Sequence, residues 1–252
     1  MPKPLALVSG ITGTIGSAIS ARLLDEGYAV IGLSRTPSQD VTAAGARLMR
    51  CNVTSLADIW RIGRDVPHCE VFVAAHGHPP ITCPTLDVSC EEFEDVWETD
   101  VSGTFLLVQA VACGMVQRRR GDIILLSSLH ARQTYPARVP YAAAKAAVVG
   151  MMRSMALEWG PYGVKVNAVL PWQVAGPRTT ALIDGARQRG EDLEEAYLQR
   201  CPQRRLVQPQ DVAQAVLALI DNPACNGVEL VLDGGVSQGM WHQGYKEDRR
   251  EP

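Results

Sequence analysis

No excess of positive charge marks this sequence: 24 Lys and Arg stand against 27 Asp and Glu, a formal net charge of −3 with a pI near 6.0. A chain of this balance has no global field to draw in a phosphate backbone or an anionic membrane, so neither nucleic acid nor a membrane is expected as a partner. No run reaches about 18 uninterrupted apolar residues, the length a membrane-spanning helix needs. The N-terminus, MPKPLALVSG, has one Lys and an apolar run too short for a signal-peptide core. The expected location is cytoplasmic. The cysteines (Cys51, Cys69, Cys83, Cys90, Cys113, Cys201 and Cys225) are odd in number and lack a CxxC pair, which fits neither a disulfide framework nor a zinc site. They are expected to be reduced, mostly buried thiols. His76, His78 and His130 lack paired ligand spacing, so no metal is expected.

What is present is an ordinary globular composition, 46% hydrophobic and 20% charged, over 252 residues. That length accommodates one large domain. Short apolar runs at 5–9, 28–34, 46–51, 70–75, 122–128, 164–170 and 228–233 alternate with helical patterns near 14–26, 54–65, 89–117, 138–160, 179–200 and 209–221. An irregular link is expected at 36–45. Continuous apolar strands separated by helices imply a single-domain, Rossmann-type α/β fold: a doubly wound parallel sheet of seven strands with helices on both faces. The domain is expected over 1–237, with a substrate loop at about 172–205. The polar segment 238–252 reads as a loose tail or an arm laid on a neighbouring subunit.

Residues 9–16 read SGITGTIG, after the first strand and at the start of the first helix. In that context Gly10, Gly13 and Gly16 permit a tight turn, close ligand approach and helix-on-strand packing, and the backbone of Thr12, Thr14 and Ile15 is positioned to meet a pyrophosphate. At the end of the second strand, where a carboxylate would bind the ribose of NAD, stand Ser34 and Arg35. A guanidinium there favours a 2′-phosphate, so NADP(H) is expected over NAD(H).

The segment SSLHARQTYPARVPYAAAK carries the chemistry. Tyr141 and Lys145, four apart on a predicted helix, share one face. Ser128 lies at the carboxyl end of the fifth strand, where open α/β sheets place ligands. A hydride arriving at a carbonyl carbon leaves an oxyanion that must take a proton. A phenol of ordinary pKa about 10 needs a nearby ammonium to serve near neutrality, and a fixed hydroxyl can orient the carbonyl oxygen.

With its YxxxK, the serine thirteen residues earlier and the glycine loop, the chain resembles the short-chain dehydrogenase/reductase family in its compact branch, along nearly its whole length. The resemblance implies Ser128, Tyr141 and Lys145 as catalytic residues, with Lys145 also holding the nicotinamide ribose. It implies a small carbonyl or alcohol substrate and a homodimer or homotetramer; Ala142, Ala143, Ala146 and Ala147 give the catalytic helix a small-sided face. Several positions depart from the family pattern. The usual TGxxxGxG is replaced by a GxxGxxG spacing similar to the family's epimerase-like branch. The NNAG segment reads Ala74, Ala75, His76, Gly77, and the aspartate after the third strand is Asn52, followed by Val53. Asp100 stands where many relatives carry an Asn that supports a water relay to the lysine; its charge is expected to oppose Lys145 and shift the Tyr141 acid limb upward. The family's PG appears as Pro171 and Trp172, which with Val174 are expected near the nicotinamide, Trp172 either walling that pocket or simply packing. Substrate contacts are expected from His130, Arg132, Tyr135, Arg138, Trp172 and Arg178, a mixture compatible with an aromatic, an acidic or a thioester carbonyl compound. Arg118–Arg120 read as a solvated turn rather than an acyl-carrier-protein site. The alternatives are a cofactor-retaining epimerase or dehydratase and a non-catalytic dinucleotide-sensing protein.

Overall fold

A computed structural model describes residues 3–36 and 45–239. Seven strands form one all-parallel sheet: β1 (Leu5–Ser9), β2 (Ala29–Ser34), β3 (Arg47–Arg50), β4 (Val71–Ala74), β5 (Gly121–Leu126), β6 (Val164–Pro171) and β7 (Glu229–Leu232), in the order β3-β2-β1-β4-β5-β6-β7. The order reverses between β1 and β4, which opens a crevice beyond their carboxyl ends. The helices are α1 (Thr14–Asp25), α2 (Leu56–Asp65), α3 (Cys90–Trp97), α4 (Gly103–Arg118), α5 (Val139–Trp159), α6 (Pro177–Gln188), α7 (Leu193–Arg200) and α8 (Pro209–Asp221).

Alternation along the buried strands feeds two hydrophobic layers. Leu7, Phe72, Ile123 and Leu125 point to the layer covered by α2, α4 and α5, where Ile59, Ile62, Leu107 and Met152 meet them. Ala6, Val8, Val73 and Ile124 point to the opposite layer, against Ile19 and Leu23 of α1 and Val212 and Val216 of α8. Because both faces are covered, each strand reads as a continuous apolar run, which is why the expected strands agree with the observed ones to within two residues at each end.

Two helices depart from expectation. The segment predicted as one helix over 179–200 is two, because Gly190 adopts φ +76° and Asp192 opens α7 by accepting from the backbone N–H of Glu195 at 3.0 Å. The predicted 89–117 helix begins with a capping box at Ser89 and Glu92 but is interrupted by a π-helical turn at Glu98–Ser102. The extra residue of that turn redirects Asp100 inward. The combined stretch Cys90–Arg118 is long and apolar enough to cross a membrane by length and composition. Its Leu107, Val108, Val111 and Met115 are instead core residues packed beneath the sheet. Most of the link expected at 36–45, and the tail from residue 240 onward, lie outside the described residues.

Cysteine burial is more mixed than expected. Cys51, Cys69 and Cys201 are buried, Cys83 and Cys225 half-buried, and Cys90 and Cys113 exposed. Burial pushes the Cys51 thiol up to about 11 and the Cys69 thiol to about 12, which makes both poor nucleophiles. Arg118–Arg120 are not simply solvated. Arg118 donates to the carbonyls of Pro67 and Cys69, Arg119 donates to Pro161 at 2.6 Å, and Arg120 pairs with Glu70 at 3.0 Å.

Candidate active site

The glycine loop leaves β1 through Gly10, whose φ of +68° and close approach to Ala75 and His76 leave no room for a side chain: a Cβ there would lie 2.7 Å from the Ala75 carbonyl. Gly16, in the first turn of α1, rests on the loop it follows, and a Cβ would come within 2.3 Å of the Gly10 oxygen. Gly13 is the N-cap of α1 and brings no side-chain cap. The backbone N–H groups of Thr12, Thr14, Ile15 and Gly16 have no acceptor among the described residues. They form a cluster of donors at a helix N-terminus, the arrangement that receives a phosphate.

A cleft of about 300 Å³ opens beside this loop, lined by Gly10, Thr12, Gly13, Ser34, Arg35, Asn52, Val53, Ala75, His76 and Gly77 among the expected residues. Ser9, Leu33, Thr36, Cys51 and Thr99 complete the lining and were not anticipated; they are neighbours of expected residues that only the folded chain brings to the surface of the cleft. No carboxylate lines it among the described residues. Ser34 is fixed by hydrogen bonds to Thr12 (3.2 Å) and to the Thr36 carbonyl (2.8 Å), leaving Arg35 exposed at the rim. The Asn52 oxygen already accepts from the Thr54 N–H at 3.3 Å, so it has one remaining lone pair for a ligand. Thr14, Ile15 and Gly16 belong to α1 and do not line this cleft; Ile15 packs against the core, and Thr14 touches Gly176. Pro171 ends β6 on the other side of the crevice, and Trp172 and Val174 follow it. Trp172 is buried, with its N–H donating to the Tyr135 hydroxyl at 3.1 Å and its ring edge-on to Tyr197. Val174 bridges to Val207.

His76 is more firmly held than the sequence suggested. Its two ring nitrogens contact the Ser9 hydroxyl at 2.6 Å and the Thr104 hydroxyl at 3.1 Å. Burial pushes its pKa down to about 4, with Asp100 opposing and Lys145 reinforcing the shift, so the ring is neutral near pH 7. It ties β1 to α4 beneath the cleft.

Ser128, Tyr141 and Lys145 meet at the carboxyl rim. Ser128 lies two residues beyond β5, is buried, and accepts the His130 N–H at 3.2 Å while its hydroxyl donates toward the Pro171 carbonyl at 3.5 Å. Helix α5 is locked to the strand by the Ser127 hydroxyl, which donates to the Lys145 carbonyl at 2.8 Å. One turn of α5 brings the Lys145 ammonium within 5.5 Å of the centre of the Tyr141 ring. No protein group among the described residues hydrogen-bonds the Tyr141 hydroxyl.

The π turn delivers Asp100 to Lys145, carboxylate to ammonium at 2.9 Å, with side chains 0% and 7% exposed. The other carboxylate oxygen accepts the His78 N–H at 2.5 Å. Burial pushes the Lys145 pKa down, but the charges of Asp100 and Tyr141 outweigh it and the net shift is upward, so the ammonium is secured. The lysine therefore contacts the residue-100 carboxylate directly.

His130 stands edge-on to both Tyr141 (5.5 Å) and Tyr135 (5.1 Å), and burial with the Arg138 charge pushes its pKa down to about 4. Arg138 immediately precedes α5, and Arg178 is the second residue of α6. Arg132 is not part of this mouth: it pairs with Glu229 at 2.7 Å, beside Arg153 at 2.5 Å. Two residues missed by sequence reasoning do belong to it, Tyr197 against Trp172 and Arg200 over Tyr135, both carried in by α7.

The family model described as enoyl-(acyl carrier protein) reductase matches residues 10–237. L-fucose dehydrogenase of Oryctolagus cuniculus is 29% identical over 252 residues, 96% of this chain and 87% of the relative. 3-Oxoacyl-(acyl-carrier-protein) reductase of Vibrio cholerae is 32% identical over 245 residues, 92% of this chain and 96% of the relative. Among solved structures, a short chain dehydrogenase/reductase family protein superposes with a TM-score of 0.83 at 30% identity, covering 93% of this chain and 97% of that one. A variant of actinorhodin polyketide ketoreductase solved with NADPH gives a TM-score of 0.86 at 30% identity, covering 94% and 98%.

Proposed function

The chain belongs to the short-chain dehydrogenase/reductase family, and from that premise we propose that it is an NADP(H)-dependent oxidoreductase interconverting a carbonyl compound and a secondary alcohol, with Tyr141 as general acid and base. The observation that carries this reading is the phenol of Tyr141 beside the Lys145 ammonium at the rim of the crevice that the glycine loop opens. The relatives' names span a sugar dehydrogenase, a sugar-alcohol dehydrogenase and a 3-oxoacyl reductase, whose shared element is an alcohol or ketone carbon.

The residues present fit a phosphorylated dinucleotide. The N–H groups of Thr12, Thr14, Ile15 and Gly16 suit a pyrophosphate, and Arg35 in a carboxylate-free cleft suits a 2′-phosphate. When bound, NADPH supplies the hydride. In this reading Lys145 orients the cofactor's ribose and favours the phenolate form of Tyr141. Tyr141 gives its proton to the oxygen of the reduced carbonyl, and Ser128 donates a hydrogen bond to that oxygen before transfer. Asp100 anchors Lys145 and takes the position of the expected asparagine.

A spectrophotometric screen of carbonyl and alcohol panels with NADPH, NADH and their oxidised forms tests the proposal. Steady NADPH oxidation with a carbonyl supports it. Absence of turnover with every pair, or a clear preference for NADH, overturns the reaction or the cofactor assignment respectively.

A further inference from the structure

Three guanidiniums surround the mouth of the Tyr141 site without a carboxylate partner among the described residues: Arg138, Arg178 and Arg200. Many arginines elsewhere are answered. Arg22 pairs with Glu26, Arg120 with Glu70, Arg132 and Arg153 with Glu229, and Arg205 with Asp211. The acidic residues of α7 nearest this mouth are already taken, Glu194 by Arg187 and Glu195 by Arg204.

Arg200 is placed by contacts that lead outward from Tyr141, and Arg138 and Arg178 by the helix starts that carry them. The His130 ring touches Tyr141 and Tyr135, and the Arg200 guanidinium lies 5.4 Å from the Tyr135 ring centre. Arg138 sits three residues before Tyr141, at the N-cap of α5, and its charge acts on His130 and Tyr197. Loss of surrounding water lowers the Arg178 pKa, with Tyr141 raising it and Arg138 lowering it further. The charge of Asp100 also favours its protonated form, without an ion pair between the two. His130 is neutral near pH 7, and the Asp100 carboxylate is consumed by Lys145. The Tyr135 ring beneath Arg200 continues into two further flat rings, Trp172 through its hydrogen bond and Tyr197 edge-on to Trp172.

Unpaired arginines of this density beside a reaction centre are recognition groups for an anion. We infer that the substrate carries a carboxylate or phosphate attached to a flat apolar body, with Arg138, Arg178 and Arg200 receiving the anion while the aromatic rings hold the body against Tyr141. This rests on the oxidoreductase reading above and narrows its substrate class.

The test compares three aryl methyl ketones with NADPH as hydride donor: para-acetylbenzoate, its methyl ester, and para-acetylphenyl phosphate. A charge-assisted contact corresponds to about tenfold or more in kcat/KM, so one of the two anions should exceed the ester by at least about that factor at low salt. Which anion wins distinguishes carboxylate from phosphate. The ratio should fall toward one in Arg138→Gln, Arg178→Gln and Arg200→Gln and with added salt. NADPH binding, followed by fluorescence, verifies that each variant is folded.

An ester used as well as both acids, or a ratio unmoved in all three variants, overturns the inference while leaving the reductase reading intact. If no carbonyl of any charge is consumed, the reductase reading fails and takes the inference with it. A raised KM for NADPH in Arg178→Gln with unchanged anion selectivity assigns that arginine to the cofactor and removes it from the anion site.

Discussion

Replacing Asp100 by Asn isolates the electrostatic role of the carboxylate at the catalytic lysine. The carboxylate is 2.9 Å from an ammonium that stands 5.5 Å from the Tyr141 ring centre, so it lies within about 8.4 Å of that centre. Two like charges about 8 Å apart, at an effective dielectric of about 20, repel by about 2 kcal/mol. The Asn side chain preserves shape and an acceptor for Lys145 while removing that repulsion. The limb of the pH profile of kcat/KM should therefore move toward lower pH. An opposing effect exists, because burial pushes the Lys145 pKa down and Asp100, with Tyr141, raises it. Asp100→Leu, which removes acceptor and charge together, should therefore weaken the hold on the Lys145 ammonium and move the limb upward instead. The assay is the pH dependence of NADPH oxidation for the parent and both variants, with cofactor binding measured in parallel. Superimposable profiles for parent and Asp100→Asn would refute the electrostatic argument.

Further outcomes follow from other parts of the fold. Arg35→Ala should raise KM for NADPH by about tenfold and leave that for NADH nearly unchanged, as expected for loss of one exposed charge-assisted contact; steady-state kinetics with both cofactors reads this. His76 has its folded pKa depressed from 6.5 to about 4, so between those values the unfolded chain binds a proton that the folded chain refuses. Stability should be full above pH 6.5 and fall as pH drops toward 4, by up to about 3 kcal/mol from this residue. Urea unfolding across that range should show a shallower loss in His76→Gln. Gly16→Ala would force a Cβ to within 2.3 Å of the Gly10 oxygen, so it should displace the loop, weaken NADPH binding and lower stability by about 1–3 kcal/mol, checked by titration and thermal unfolding. The small-sided face of α5 and the exposed Trp97, Phe105 and Leu157 support a homodimer or homotetramer. Sedimentation at micromolar concentration should then show no monomer.

The fold was legible because a parallel sheet covered on both faces writes each strand as an apolar run, and glycine and proline mark most helix ends. The helix predicted across 179–200 failed where Gly190 and Asp192 form a stop followed by a new cap, a signal present in the sequence but outweighed by helical residues on either side. The π turn at Glu98–Ser102 left no such trace, since each residue in it also suits an α-helix; its consequence, the direct pairing of Asp100 with Lys145, depends on a contact across 45 positions. The candidate catalytic residues were legible from spacing alone, because one helix and one strand end carry all three. The grip on His76 was not, since Ser9 and Thr104 are brought to it by β1 and α4 from distant parts of the chain. Arg200 and Tyr197 escaped for the same reason: where α7 returns to the mouth is a tertiary fact.

The most direct test of the central claim is a single-turnover comparison of the parent with Tyr141→Phe, each loaded with NADPH and mixed with a carbonyl the parent reduces. NADPH affinity should be equal and the rate of NADPH oxidation lowered by about a hundredfold or more in the variant, the contribution of a positioned general acid. Oxidation by the phenylalanine variant at the parent rate would contradict it.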